Sequence, residues 1–359
     1  MAICGILFGM SHDTPCEIEI APVAPDARVE ALGLVFAALP AQQRSQYIGS
    51  LLAGWHGHAC RGQEGVVEKH AHGKREHGTR AGRDRLTERE QGSAAGLLGA
   101  YRGGRLVGAV FSQIQPGKTA LVWPPQLVPD EPRPTACGLL DATSRWLGGQ
   151  EVRIAQAMLP SSATGAVSCG SAGNAGADEA VLLAGGFERM ADLLYLVSEQ
   201  SEFPDGAPRS PLQFESYSSA NHQRLDRVVL ATYEDTLDCP SLDGVRKIGD
   251  VLEGYRATGV FDPRRWLIVR HEGKDIGCLL LADHPDQENW ELVYMGLVSS
   301  HRGRGWGMDI AREAQRLARR AGRRRLVLAV DAGNRPAIET YSAAGFRLWD
   351  RRGVYVKVL

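Results

Sequence analysis

The sequence lacks several patterns that identify common classes of protein. No uninterrupted apolar run approaches the roughly 18 residues that a membrane-spanning helix needs. The apolar start MAICGILFGM has no basic segment before it and no clear cleavage site. The seven cysteines are an odd number and include no Cys-x-x-Cys pair, which indicates reduced thiols. We therefore expect a cytoplasmic protein without a membrane partner.

An excess of charge of either sign is also missing. Lysine and arginine number 41 and the acids 42, for a formal net charge of -1. Such a balance gives no global field that would attract nucleic acid or an anionic membrane. The basic run RRAGRRR (319–325) lies at a predicted helix end, where cations are favoured. We expect no nucleic-acid partner.

A metal site is not expected either. The histidines of the polar segment 56–96 lie among Gly, Arg and Glu residues, with few apolar residues to hold a tetrahedral site. We interpret this segment as an exposed insertion. Cys239 and Cys278 have no accompanying His/Asp pattern, so neither is a predicted nucleophile.

The order of predicted elements repeats along the chain. Each half reads as a strand, a helix, a run of antiparallel strands, and then helix, strand, helix and strand, and both last helices end in a Gly-Phe pair. The polar, proline-rich stretch 200–211 lies between the halves. We predict two domains, 1–204 and 205–359, in an α/β (α+β) fold.

The segment HRGRGWGMDI (301–310) stands between a predicted strand and a predicted helix. Its alternating glycines leave backbone amides open to a ligand, and the amides of a helix N-terminus attract anions. A pyrophosphate is a good match. The P-loop Gly-Lys-Ser/Thr is absent, and the spacing G-x-G-x-G differs from the dinucleotide fingerprint. A glycine-rich loop without a ligand is the alternative.

A second motif, NRPAIETYSAAGF (334–346), follows about thirty residues later. Together the two motifs resemble those of the GCN5-related N-acetyltransferases (GNAT). The pyrophosphate motif R/Q-x-x-G-x-G/A is met by Arg302, Gly305 and Gly307. The motif N-x-x-A-x-x-x-Y-x-x-x-G-F is met in full. The resemblance covers about 212–359 and implies tandem GNAT-like domains, each a mixed, mostly antiparallel sheet flanked by helices.

The resemblance implies acetyl-CoA as donor and an amine as acceptor, in direct transfer within a ternary complex. The strand 289–298 should splay from the strand 324–332, with the pantetheine between them. Backbone groups near Leu297 and Val298 would bind the acyl arm, and an amide there would face the thioester oxygen. The implied cofactor residues are Leu297, Val298, Arg302, Gly303, Arg304, Gly305, Trp306, Gly307, Asn334, Ala337 and Tyr341. Asn334 is also a candidate helix cap.

The resemblance also suggests the catalytic residues. Tyr341 is the expected acid, because a phenol can protonate a departing thiolate. Glu291 is the first candidate base: it lies six residues before Leu297, so alternation puts both on one face. Asp331 is the second candidate. Tyr294 and Asp238 are expected to line the acceptor pocket.

The first half departs from these motifs. VPDEPRPTA (128–136) stands where the glycine turn should be, and its prolines and acids oppose phosphate binding. An equivalent of Tyr341 is hard to find in it. We expect this half to act as scaffold, interface or part of the acceptor pocket. The alternative for the whole chain is a non-catalytic CoA-binding regulator or scaffold. The acceptor, small molecule or peptide, and the oligomeric state stay open.

Overall fold

The computed structural model describes residues 17–60, 96–161, 175–207, 209–239 and 247–359. The predictions for the apolar N-terminus, for most of the polar segment 56–96 and for His70, His72 and His77 lie outside the described residues. None of the helices in the described ranges has the length and apolarity needed to cross a membrane.

The first repeat begins with a strand and two helices and ends with a strand. Its elements are β1 (Ile18–Pro22), α1 (Arg28–Val35), α2 (Ala41–Cys60), β2 (Leu97–Arg102), β3 (Arg105–Gln115), β4 (Thr119–Leu127), α3 (Pro134–Gly149), β5 (Ile154–Pro160), α4 (Ala175–Ala184) and β6 (Glu188–Glu199). Sequence analysis did not predict α2, whose glycines lower its helix propensity. Residues 56–60 of the predicted insertion are therefore helical.

The second repeat has the same order of elements. They are β7 (Gln213–Ser216), α5 (His222–Tyr233), α6 (Ile248–Ala257), β8 (Trp266–His271), β9 (Lys274–His284), β10 (Asn289–Leu297), α7 (Trp306–Arg320), β11 (Arg325–Asp331), α8 (Arg335–Ala343) and β12 (Arg347–Val358). The predicted mixed α/β fold with an internal repeat is confirmed.

The chain forms two compact units that do not follow the repeats. The smaller comprises Met1–Phe111 and Pro124–Thr143, and the larger Ser112–Trp123 and Ser144–Leu359. In the smaller unit β2 and β3 form the hairpin predicted at residues 102–104, with Arg102 opposite Arg105. The domain limits 1–204 and 205–359 stay a prediction about the repeats.

In the larger unit the last strands of the two repeats are exchanged. β6, from the first repeat, pairs with β11 from Leu193 opposite Asp331 to Glu199 opposite Arg325. β12, from the second repeat, pairs with β5 on one side and β6 on the other. The sheet of the second repeat therefore contains a strand that precedes residue 204.

Helices cover both faces of the sheet in the second repeat. Leu279 and Leu281 of β9 pack in one core with Ile310 and Ala314 of α7. Alternate residues of β9, such as Leu280, pack in the other core with α5. Cys278 lies in this second core, where burial raises the pKa of its thiol to about 12. The thiol therefore stays protonated, as expected of a structural cysteine.

A buried glutamine fixes the position of α7. The Gln315 amide nitrogen donates to Ser198 Oγ at 2.8 Å and to the Ala344 carbonyl at 2.7 Å. These bonds join α7 to β6 and to the end of α8, and the Gln315 side chain is fully buried. The N-terminus of α7 is thus held by the packing of its middle turns.

Candidate active site

The glycine-rich segment forms a tight turn at the start of α7. Gly303 and Gly305 have φ angles of 75° and 77°, a left-handed conformation that strains residues with a Cβ. The Met308 amide donates to the Gly305 carbonyl at 3.0 Å. The amides of Trp306 and Gly307 precede the first hydrogen bond of the α-helix, at the positive end of its dipole. The turn therefore offers main-chain donors to an anion.

Strands β10 and β11 separate beside this turn. Their parallel pairing covers Asn289, Trp290 and Glu291 of β10 and ends there. Beyond it opens a cavity of about 680 Å³, with residues 292–297 of β10 in its wall together with residues 329 and 330 of β11. The splay that the family resemblance implied is confirmed.

Most of the predicted cofactor residues share this cavity. Its wall includes Leu297, Arg302, Gly303, Gly305, Trp306, Gly307, Asn334, Ala337 and Tyr341. Among the described residues, the predicted site residues that lie outside the wall are Val298, Arg304, Glu291 and Asp331. The structure thus brings together both motifs, which are about thirty residues apart in sequence.

The backbone groups at the end of β10 are partly engaged within the protein. The Val298 amide donates to the Ile276 carbonyl at 2.9 Å. The Leu297 carbonyl accepts a hydrogen bond from Arg302 Nε at 2.9 Å. A ligand at this end of the cleft would meet these two groups already bonded.

Arg302 binds the end of helix α5. Besides Leu297, its guanidinium donates to the carbonyls of Thr232, Glu234 and Asp235, each at 2.8 Å. Carbonyls at a helix C-terminus lack intrahelical partners and attract cations. Arg302 therefore fixes α5 against the glycine turn as well as lining the cavity.

A group of basic and aromatic side chains surrounds Trp306. The Arg304 guanidinium lies 5.1 Å from the Trp306 ring centroid, within cation–π range. The rings of His271 and His301 lie 4.6 and 5.9 Å from the same ring. Burial and the charges of Arg304 and Lys274 lower the pKa of His301. Arg304 is thus held beside the glycine turn.

Tyr341 is buried and lines the cavity. Only 5% of its surface is exposed, and its ring meets Phe346 edge to face at 5.5 Å. Burial, with a smaller contribution from the charge of Asp238, raises the pKa of the Tyr341 phenol. The phenol therefore carries its proton at neutral pH, as an acid must.

Asn334 starts helix α8. Its side-chain oxygen accepts a hydrogen bond from the Ala337 amide at 3.3 Å, so its predicted role as a cap is confirmed. The helix ends at a left-handed Gly345, after which the Phe346 amide bonds to the Tyr341 carbonyl at 3.0 Å. A contact between Asn334 and the cofactor stays a prediction.

Two carboxylates join the end of β11 to the loop after α5. Asp331 accepts hydrogen bonds from the amides of Gly333 at 2.8 Å and Cys239 at 3.0 Å, one on each oxygen. Asp238 Oδ1 accepts the Asp331 amide at 3.0 Å. Burial raises the pKa of Asp238; the Asp331 amide opposes this shift and the Asp331 charge adds to it. Asp238 lines the cavity.

The prediction that Glu291 and Leu297 share a face is wrong. The register of β10 with β9 shifts between Leu292 and Tyr294, because Val293 is an extra residue in a β-bulge. Six residues along the chain are then five positions along the sheet. Glu291 shares its face with Tyr294, and Leu297 lies on the opposite face.

Glu291 forms a pair with a histidine. His284 Nε2 lies 2.9 Å from Glu291 Oε2. The hydrogen bond to Glu291 raises the pKa of His284, and partial burial opposes that shift. The proposed function of Glu291 as a base stays a prediction, with its carboxylate outside the cavity wall.

Tyr294 and Asp238 both lie in the cavity wall, and their expected place in an acceptor pocket stays a prediction. The Tyr294 hydroxyl lies 2.8 Å from Thr232 Oγ1, and its ring stacks on Tyr255 with centroids 5.4 Å apart. Burial raises the pKa of the Tyr294 phenol. The cavity is thus polar on the side of α5.

Residues 230–346 match the family model described as the acetyltransferase (GNAT) family. The match contains both motifs and the splayed strands. It also contains every residue of the cavity wall. Residues 230–346 belong to the GNAT family. This GNAT segment is about a third of the chain.

Relatives are similar to part of this chain. The mycothiol acetyltransferase of Corynebacterium glutamicum is 39% identical over 86 residues, which are 24% of this chain and 30% of the relative. That of Corynebacterium efficiens is 34% identical over 82 residues, 23% of this chain and 27% of the relative. The matched region is therefore less than a third of each relative's length.

A solved structure is similar over nearly the whole chain. It is a GCN5-related N-acetyltransferase from Sphaerobacter thermophilus, with a TM-score of 0.55 and 14% identity over 95% of both chains. At this identity the likeness concerns the fold. It extends beyond the GNAT segment into the first repeat.

The first repeat differs from the GNAT segment at two equivalent positions. The Phe187 amide bonds to the Leu182 carbonyl as Phe346 bonds to Tyr341, so a fully buried leucine stands where the GNAT segment has its phenol. At the start of α3, Glu131 accepts hydrogen bonds from Arg102 at 2.9 Å and from Thr135 at 2.6 Å. A carboxylate of the protein itself thus lies beside that helix start.

Sequence analysis missed several residues of the cavity wall. Those in the GNAT motifs are Met308, Pro336, Glu339 and Thr340, and those after α5 include Asp235, Thr236 and Leu237. Helical spacing contained a signal for Thr340, which lies three residues after Ala337, and for Pro336, which lies four residues before Thr340. The loop after α5 has no such signal. Within the described ranges, no group of three potential metal ligands is present.

Proposed function

We propose that the second repeat transfers an acetyl group from acetyl-CoA to the amine of a small molecule or peptide, by direct attack in a ternary complex. One observation carries the proposal: the helix N-terminus, the separated strands and the Tyr341 phenol open onto one cavity of about 680 Å³. Such a cavity offers an anion site, a slot for a chain and an acid.

The diphosphate would bind the amides of Trp306 and Gly307, with the Arg304 charge nearby. Glycines 303 and 305 would let it approach the turn. The pantetheine would lie along residues 292–297, whose edge towards β11 is unpaired in the ladder. Asn334 and Ala337 would flank it from the start of α8.

Tyr341 would donate its proton to the sulfur as the carbon–sulfur bond breaks. A β10 amide in the cleft would stabilise the oxyanion of the tetrahedral intermediate, and losing such a donor costs about 3 kcal/mol. Because the Val298 amide already donates to the Ile276 carbonyl, this donor would lie among residues 292–297.

Replacing Tyr341 with Phe tests the proposal in the full-length chain. We expect acetyl-CoA to bind wild type and Y341F alike in isothermal titration, and release of CoA with primary amines to fall about 100-fold or more in the variant. The control is Y217F, a tyrosine outside the cavity. No binding of acetyl-CoA by the wild type would refute the proposal.

A non-catalytic CoA-binding regulator or scaffold is the second candidate. It is favoured by the position of Glu291, the first candidate base, outside the cavity wall. The same experiment separates the two functions. A regulator binds acetyl-CoA but releases no CoA with any amine, in the wild type as in Y341F.

A further inference from the structure

We propose that Asp238 is the catalytic base of this site, and that the acids around it select amines that carry no neighbouring carboxylate. The inference rests on the proposed acetyl transfer and goes further by naming the base and the class of acceptor.

Hydrogen bonding distinguishes Asp238 from its neighbour Asp331. Both carboxylate oxygens of Asp331 accept hydrogen bonds from backbone amides, and Asp331 is only 8% exposed. Asp238 accepts the Asp331 amide on Oδ1. In the described part of the chain no hydrogen bond occupies its Oδ2, and Asp238 belongs to the cavity wall. Of these two carboxylates, Asp238 is the one with an oxygen available to an amine.

Asp238 also lies close to the proposed acid. Its charge contributes to the raised pKa of the Tyr341 phenol and of the Tyr294 phenol, and all three residues line the cavity. In an acyl transfer the base must reach the attacking nitrogen and the acid must reach the departing sulfur, and both atoms are bonded to the same carbon in the tetrahedral intermediate. Glu291 lacks this placement, since it pairs with His284 outside the wall.

Burial suits Asp238 to accept a proton. Desolvation and the Asp331 charge raise its pKa, and a base is most effective when its pKa approaches the working pH. The position is stable in the fold because the Asp331 amide holds Oδ1. Asp238 therefore combines a fixed position with greater basicity than an exposed carboxylate.

The charges of the wall favour a cationic acceptor. Its acidic side chains are Asp235, Asp238 and Glu339. Arg302 is the one basic side chain among the described wall residues, and its guanidinium is bonded to four carbonyls. An ammonium group is attracted to such a wall, whereas a carboxylate beside the amine is repelled.

The proton balance follows from this placement. The acceptor enters as R–NH₃⁺ and gives one proton to Asp238, which releases it to water. The neutral amine forms the carbon–nitrogen bond, and the carbon–sulfur bond then breaks. Tyr341 protonates the thiolate and is reprotonated by the second proton that the nitrogen loses. The products are R–NH–CO–CH₃, the CoA thiol and one H⁺.

The test uses D238N in the full-length chain, a change that preserves the shape of the side chain and an oxygen for the Asp331 amide. The probes are putrescine and tyramine, which lack a carboxylate, and glycine and alanine, which carry one. For the wild type we expect kcat/KM to favour the first two by about tenfold or more. For D238N we expect kcat to fall about 100-fold or more with acetyl-CoA affinity unchanged. D286N, an exposed acid outside the wall, is the control.

The pH profile gives a second readout. The wild-type rate should rise as Asp238 loses its proton, at a pH above the usual aspartate range, and D238N should lose this rise. The titratable groups that face Asp238 are Asp331, Tyr341 and Tyr294, and D238N retains all of them.

The outcomes separate this inference from the proposed function. Failure of the wild type to bind acetyl-CoA refutes both. An active wild type overturns the assignment of Asp238 if D238N keeps its rate and pH profile. If glycine and alanine react as well as putrescine, the proposed acceptor class is wrong. The acceptor class is also wrong if the wild type binds acetyl-CoA but acetylates none of the four amines.

Discussion

Replacing Gly307 with alanine separates stability from ligand binding at the start of α7. Gly307 is the second residue of the helix and does not have a left-handed φ. A Cβ added there would lie 3.5 Å from Thr340 Cγ2, an ordinary van der Waals contact. Alanine is favoured over glycine in helices by up to about 1 kcal/mol. We therefore expect G307A to unfold at the same or a higher denaturant concentration.

Binding of acetyl-CoA should change in the opposite direction. If a diphosphate lies against the Gly307 amide, the new methyl group displaces it and weakens a hydrogen bond to a charged group. Such bonds contribute about 1.5–3 kcal/mol. We expect the Kd for acetyl-CoA to rise about 10- to 100-fold, measured by isothermal titration.

Gly249 provides a matched control. It is also the second residue of its helix, α6, and a Cβ there meets nothing within 4 Å. It lies outside the cavity wall. G249A should gain helix stability and bind acetyl-CoA as the wild type does. A G307A protein with the wild-type Kd would refute close approach of the ligand to this amide.

Two further predictions follow from the strand exchange and from the histidine pair. The fragment 205–359 lacks β6, which is the partner of both β11 and β12. We therefore expect circular dichroism to show that the fragment is unfolded and that the full chain is folded. A folded fragment that binds acetyl-CoA would contradict this prediction. The pKa of His284 is raised above the usual histidine pKa of 6.5. Its pair with Glu291 therefore contributes fully to the free energy of unfolding below pH 6.5, and this contribution is lost as the pH rises through the raised pKa. Urea unfolding of E291Q should lose that pH dependence, and an unchanged dependence would exclude the pair as its source.

Local patterns predicted the elements of the site. The alternating glycines 303 and 305 predicted a turn at a helix start, and both have a positive φ that favours glycine. The spacing from Asn334 to Gly345 predicted a capped helix with Tyr341 on it, and the structure has that cap. These features depend on interactions within a few residues, so sequence patterns contain them.

The face of Glu291 was predicted wrongly for a physical reason. Alternation assumes one residue per sheet position, and the bulge at Val293 breaks this rule. A bulge depends on how β10 fits β9, which the spacing of apolar residues does not specify. The contacts of Arg302 were not predicted either, because three of its four carbonyl partners come from the end of α5, more than 60 residues earlier in the chain.

By itself the sequence determined the repeated order of elements, the glycine turn and the tyrosine helix, because each follows from local backbone preferences. Only the tertiary structure decided that β6 and β12 exchange repeats, that Arg302 holds α5, and that the Asp331 amide holds Asp238 in the cavity wall. These outcomes depend on which distant segments pack together, and the free energy of that packing is set by the whole fold.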